Sequence, residues 1–222
     1  MKTLDELSIA PSPLGSEDLN SEAGIAELDN SAVLKWSDGL METHHLVRNV
    51  RKATLEQETL SRMHHNEAKK WSAKEGERAR KIEAYHRSMS GQDDDVEWIE
   101  ENIRLISIHD SSIAAVVIEN ALNLNDNQKL RSNAALLALD RGETRIAQIH
   151  ISKMNHSPSK KLFESRLARM EGKISDAQRL EEEALSLSDP SQRARIEVAS
   201  VIRRFDDRLP GRMSKSESDG IP

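Results

Sequence analysis

The apolar positions of this chain recur at steps of three and four rather than two, the spacing of one face of a helix. Val96, Ile99, Ile103 and Ile106 form a stripe of this kind. Ile113 to Leu124 follows as the most apolar run and is expected at the centre of a core. Leu130 to Leu139, Ile146 to Met154, Leu162 to Met170 and Ala177 to Leu187 continue the series. A final helix is expected from Ser191 to about Asp207, with Ile196, Ala199, Val201 and Ile202 toward the core.

Turn residues punctuate the stripes at a regular interval. Gly142 is followed five residues later by Ala147, and Gly172 by Ala177; in the run from Asp110 to Ala115, Asp takes the place of Gly. Seven residues beyond each Ala stand Leu122, Met154 and Ala184. The three turns lie 32 and 30 residues apart, a period typical of stacked helical repeats. Gly can take the left-handed conformation that ends a helix, and Ser111, Thr144 and Ser175 are expected to cap the helices that follow. Pro158 and Pro190 are expected at helix starts, where the missing amide proton costs nothing.

These residues resemble the tetratricopeptide repeat family. The matching positions are Ala135, Gly142, Ala147 and Pro158 in one unit, and Ser165, Gly172, Ala177, Ala184 and Pro190 in the next. The first unit keeps Ala115. The large aromatic residues of the family are missing, and the repeats run shorter than the family's usual length of about 34. The resemblance implies an all-α fold: a short right-handed solenoid of about three helix-turn-helix repeats plus a capping helix, over residues 96–207. Another array of helical hairpins is the alternative. It further implies a concave partner-binding surface lined by the first helix of each repeat. That surface would carry Glu97, Glu100 and Arg104, then Lys129 and Ser132, then Arg166 and Arg169. Arginines at the last two positions suit a partner's carboxylate.

Ahead of the repeats the chain changes character. Residues 1–31 hold one basic residue against seven acidic ones and few large apolar side chains, the composition of a disordered acidic tail. Residues 32–90 contain no Pro and only two glycines, Gly39 and Gly76, and read as a long charged helical arm of one or two helices. Leu46, Val50, Ala53, Gln57, Leu60, His64, Glu67 and Trp71 follow heptad spacing, with three polar positions, so a weak coiled coil and a homodimer through 32–90 are among the readings. From 45 to 90 there are eleven Lys and Arg against six acids. Intramolecular pairing with neighbouring acids is the simplest use of that charge; nucleic-acid binding, as in a phage-type assembly factor, is the alternative. Trp71 and Trp98 are candidates for docking the arm on the first repeat, and Trp36 for docking at its start. Residues 91–95 read as an acidic linker, and 208–222 as a disordered tail.

Composition removes several chemistries. The chain has no Cys, which excludes disulfides, thiolate nucleophiles and Cys-based zinc sites. Aromatic residues are 3% of the chain, too few for a stacking surface for single-stranded nucleic acid. No phosphate loop, nucleophile elbow or His-Glu-x-x-His is present. Two Glu-x-x-His pairs, Glu42 with His45 and Glu83 with His86, have the spacing used by helical carboxylate metal proteins, which makes a metal-binding helical protein a further alternative. Without a four-helix order to supply the remaining ligands, the reading is no catalytic residues, no metal and no cofactor. With no apolar run of about 18 residues, a membrane partner is not expected. The sequence reads as a cytoplasmic adaptor or scaffold whose partner is another protein or peptide.

Overall fold

The computed structural model describes residues 2–206. Among them are 12 α-helices and one two-stranded hairpin, so the chain is mostly helical. It forms two compact units, divided between Leu124 and Asn125.

The first unit begins where disorder was expected. Helix α1 (Lys2–Ile9) is followed by a 3-10 turn at Ser16–Asp18 and by α2 (Ile25–Asn30). Leu7, Ala10 and Leu14 are buried with Trp71, Ala79, Ile82, Leu34 and Met41 in one core. The physical reason is charge as much as apolar area. Asp18 accepts hydrogen bonds from Lys74 Nζ (2.7 Å), Arg78 Nη2 (2.7 Å) and the Gly15 amide (3.1 Å). Asp5 pairs with Arg51 at 2.5 Å, and Glu6 lies 3.8 Å from Lys70. The acidic segment and the basic one neutralise each other, so neither remains a solvated tail or arm. Lys74 and Arg78 also sit over the Trp71 ring, 4.3 and 5.2 Å from its centroid.

The expected arm is a hairpin and three helices. Strands β1 (Leu34–Ser37) and β2 (Leu40–Thr43) pair antiparallel across Asp38 and Gly39. Both turn residues have positive φ (51° and 79°), as a type I′ turn requires. Leu14 joins the hairpin by exchanging backbone hydrogen bonds of 2.9 and 2.8 Å with Met41. Then come α3 (His45–Ala53), α4 (Gln57–Ser72) and α5 (Glu77–Ser90). The heptad row is cut between α3 and α4: Leu46 and Val50 are exposed, while His64, Glu67 and Trp71 are buried within the unit. That buried half cannot face a partner helix. Gly76, at φ 101°, separates α4 from α5.

Gly91 and Gln92 alone separate α5 from α6 (Asp93–His109), so the expected linker is mostly helix. Asp95 is buried and accepts from Arg87 (2.5 Å) and from the Ser90 hydroxyl. Helix α7 (Ser111–Leu124) turns back on α6, and both pack on α5. Asp110 caps α7 by accepting the Ser112 and Ile113 amides at 3.1 and 3.0 Å. The first expected repeat is therefore compact with the helices before it. Trp71 packs against the N-terminal segment rather than that repeat; Trp98 lies under Arg87, 4.7 Å from ring centroid to guanidinium; Trp36 is exposed and bonds Asp29 at 2.8 Å.

The second unit holds two hairpins and a last helix: α8 (Gln128–Asp140), α9 (Thr144–Ser152), α10 (Pro158–Met170), α11 (Ile174–Ser186) and α12 (Pro190–Asp206). The two hairpin turns are built alike. Gly142 and Gly172 are left-handed at φ 75° and 76°. The Glu143 amide reaches Ala138 O (2.9 Å) and the Gly142 amide Leu139 O (3.2 Å). In the second turn, Lys173 reaches Ala168 O (2.9 Å) and Gly172 reaches Arg169 O (3.0 Å). This is a Schellman ending, repeated. Ala147 and Ala177 are fully buried beside it, and α10 packs on both α8 and α9. Residues 143 and 173 hold the N-cap positions, so Thr144 and Ser175 lie inside their helices, as Ser111 does in the first unit.

Pro158 and Pro190 open α10 and α12 as expected, with Ser157 capping the Lys160 amide at 3.2 Å. Helix α12 differs from expectation. Ile196 and Ser200 are buried, whereas Val201 and Ile202 are 57% and 60% exposed. The tail from 208 lies outside the described residues.

The Asp18 clamp has a pH signature. Burial alone would raise its pKa, but the hydrogen bonds from Arg78 and Lys74 outweigh this and hold it down to about 2. A depressed carboxylate stabilises fully above its unfolded pKa, and the contribution is lost as pH falls toward 2. Asp18→Asn is expected to cost about 1–2 kcal/mol at pH 7, discounted because both cations are partly exposed, and to flatten the fall in stability below pH 4. Urea titrations of both proteins between pH 2 and 7 check this.

Candidate functional site

Seven residues were expected on a partner-binding surface. In the second unit, Lys129 is exposed at the start of α8, and Ser132 is half-buried with its hydroxyl bonded to Gln128 O at 2.9 Å. Arg166 of α10 is half-buried and pairs with Asp140, the last residue of α8, at 2.7 Å. Lys129 and Asp140 lie 11 residues apart on one helix, so this accessible face runs about 16 Å. Lys129, Ser132 and Leu136 form one stripe of α8 at steps of three and four; Ser159, Leu162 and Arg166 form the same stripe of α10, each 30 residues later.

Arg169 is not on that face. Its Nη1 donates to Ser165 Oγ (2.7 Å) and to Glu181 Oε1 (2.9 Å). Glu181 is 1% exposed, forms an ion pair with Arg203 (2.9 Å to Nε) and accepts a hydrogen bond from the Ser200 hydroxyl (2.9 Å). Arg169 therefore ties α10 to α11 and α12 instead of meeting a ligand. Glu97, Glu100 and Arg104 belong to α6 of the first unit; Glu97 and Arg104 are exposed and Glu100 half-buried. The structure thus groups Lys129, Ser132 and Arg166 on the second unit and removes Arg169 from them.

Two polar clusters of the first unit bring together residues that lie far apart in the sequence. A cavity of about 460 Å³ is lined by Thr3, Glu6, Asn20, Met63, Asn66 and Glu67, among others. Glu6 has its pKa raised by burial, against the pull of Lys70. Asn20 donates to Glu6 and, at 3.4 Å, to Glu67, while Lys70 holds Glu67 at 2.6 Å. The cavity offers carboxyl acceptors to a polar ligand. Most of its wall comes from the segment that reads as disordered.

The other cluster is aromatic and basic. His64 and His86 are buried, with their Nδ1 atoms 2.9 Å apart. Tyr85 packs edge-on to both rings, at centroid distances of 5.9 and 5.5 Å. Burial pushes the pKa of His64 down to about 4, with Lys52 adding to the effect, and burial likewise holds His86 well below the usual imidazole range.

The Glu-x-x-His pairs divide. Glu42 lies on β2, paired with Lys35 at 3.2 Å, while His45 opens α3, so no shared helix face forms. Glu83 and His86 share α5, but Glu83 is held by Arg87 at 2.8 Å and His86 by His64. Among the described residues, no group of three or more acidic or His side chains is arranged to hold a metal ion, and no helix is long and apolar enough to cross a membrane. No protein-family model matches the chain, and neither a curated protein nor a solved structure matches it.

The different surroundings of the two arginines are measurable. Arg169→Ala strips one partner from a buried carboxylate and is expected to destabilise the second unit by about 2–4 kcal/mol. Arg166→Ala removes an exposed pair and is expected to stay within about 0.5 kcal/mol. Chemical denaturation of the full chain separates them; equal costs would contradict the assignment.

Proposed function

We propose that the chain is a non-catalytic interaction protein whose second unit receives an acidic peptide, or a C-terminal carboxylate, on the α8–α10 face. The observation that carries this reading is the repetition of one hairpin at an offset of 30 residues, down to the same pair of hydrogen bonds at each turn. Successive copies of one hairpin, packed side by side as in a tetratricopeptide-like solenoid, present equivalent positions of their first helices in a row. Here the equivalent stripes hold Lys129 and Ser132 on α8, and Ser159 and Arg166 on α10. Each stripe thus contributes one cation and one hydroxyl, with the cations at opposite ends of their stripes. An extended peptide crossing the two helices meets Lys129 near one end and Arg166 near the other. The Arg166–Asp140 pair is half-exposed and worth little to the fold, so an incoming carboxylate can take Asp140's place at the guanidinium.

A nucleic-acid role for the basic helices draws less support. Arg51, Lys70, Lys74, Arg78, Lys81 and Arg87 all pair with carboxylates of this chain.

The test is a peptide-display selection on the intact chain, followed by anisotropy measurements on selected peptides. Acidic or C-terminal-carboxylate peptides are expected, with affinity falling about tenfold or more in the Lys129→Glu, Arg166→Glu double variant. Selected peptides that bind the double variant unchanged would remove this face.

A further inference from the structure

The cavity of about 460 Å³ in the first unit lies where α1 and α4 meet the chain around Asn20. Helix α1 gives it Glu6 and Ile9, three residues apart; α4 gives it Met63 and Glu67, four apart. Each helix thus brings one carboxylate and one apolar side chain to the same space, at one-turn spacing. Asn66 of α4 also lines it, is exposed, and makes no side-chain hydrogen bond among the described residues. The volume is that of a small-molecule site rather than of a few waters.

The two carboxylates are short of partners. Glu67 is 5% exposed. Its Oε2 lies 2.6 Å from Lys70 Nζ, but Oε1 has only the Asn20 side-chain amide at 3.4 Å, long for a hydrogen bond. Glu6 accepts from the backbone amide (3.1 Å) and the side chain of Asn20, and lies 3.8 Å from the same Lys70. One enclosed ammonium therefore serves two acids. The remaining charges do not fill the gap. Asp5 is taken by Arg51 at 2.5 Å, and Lys2 is exposed, where water screens it. Burial raises the pKa of Glu6, and Glu67 and Asp5 add to the rise against the pull of Lys70 and the Asn20 amide. A buried carboxylate with an open lone pair, beside a second acid, is costly until a donor arrives.

We propose that this cavity binds a primary ammonium group on an aliphatic chain, either a free alkylamine or the lysine side chain of another protein. The ammonium donates to Glu67 Oε1, to Glu6 and to the Asn66 side-chain carbonyl, one acceptor for each of its three protons. The methylenes behind it lie against Ile9 and Met63. A guanidinium suits the site less well, because its planar fork wants both oxygens of one carboxylate and Lys70 already holds Glu67 Oε2. Two acids are also too few for a hard divalent cation, which takes six or more oxygens. The site belongs to the first unit and stands independently of the α8–α10 face.

The test titrates the intact protein calorimetrically at fixed salt. The probes are n-pentylamine, Nα-acetyl-lysine amide and, as the uncharged control, 1-pentanol. Saturable binding is expected for both amines and none for the alcohol. Asn66→Lys places a cation among the acceptors and is expected to weaken both amines about tenfold or more, while Asn66→Asp tightens them. Asn66 is exposed and unbonded, so both variants are expected to melt as the wild type does. Glu67→Gln, which removes the open carboxylate, is expected to weaken the amines by about tenfold as well. Tighter binding of the acetyl-lysine amide would assign the site to a protein side chain, and equal or tighter binding of pentylamine to a free amine. No saturable binding of either amine, pentanol binding as tight as pentylamine, or unchanged binding by the Asn66→Lys variant would overturn the site.

Discussion

The carboxylate of Asp18 meets Lys74 and Arg78 at 2.7 Å each, at the point where the N-terminal segment crosses α4 and α5. Those two cations lie over Trp71, and Trp71 closes a core with Leu7, Leu14 and Met41. Charge pairing and apolar burial are therefore one interaction seen from two sides. The acid holds the ammonium of Lys74 and the guanidinium of Arg78 over the indole face. Taken separately, a segment of net charge −6 and a helical stretch of net charge +5 each look like solvated chain. Brought together they supply each other's counter-ions.

This explains what could be read from the sequence. Gly142 and Gly172, with their following alanines, are local signals: the left-handed turn and the small residue act within one hairpin, and the hairpins are found where the spacing puts them. The N-terminal segment is held instead by contacts to residues far along the chain, such as Leu14 with Met41 and Pro13 O with Arg78. Composition alone cannot announce such a segment, because its apolar side chains are few and its acids look solvated. Asp38-Gly39 is different. An Asp-Gly pair between Leu34–Ser37 and Leu40–Thr43 is a legible type I′ turn signal, but the lack of Pro and the scarcity of Gly across 32–90 favour a helical reading that hides it. The cut between α3 and α4 carries neither Gly nor Pro; Thr54 marks it, bonding back to Arg51 O at 2.8 Å.

The second unit makes one exchange against its own repeat. At the register of 30, Ile151 of the first hairpin corresponds to Glu181 of the second, and both are buried. Ile151 joins Ala135, Leu139 and Met154 in an apolar core. Glu181 instead gathers Arg169, Arg203 and Ser200, so the second hairpin receives α12 through a buried ionic cluster. Such a cluster adds little stability over apolar packing, but it accepts only a helix that presents a cation and a hydroxyl at the right turn. The partners used at Glu181 explain why Arg169 is absent from the outer face while Arg166, three residues earlier, remains on it.

Amide hydrogen exchange on the intact chain, resolved over residues 2–43, tests most directly whether the acidic segment is part of the folded unit. Slow exchange is expected at the Leu14 and Met41 amides and in the second turn of α1, at rates close to those of α4 and α5, with Asp18→Asn accelerating them together. Exchange at unstructured-chain rates across 2–30, while α4 and α5 stay protected, would contradict the account.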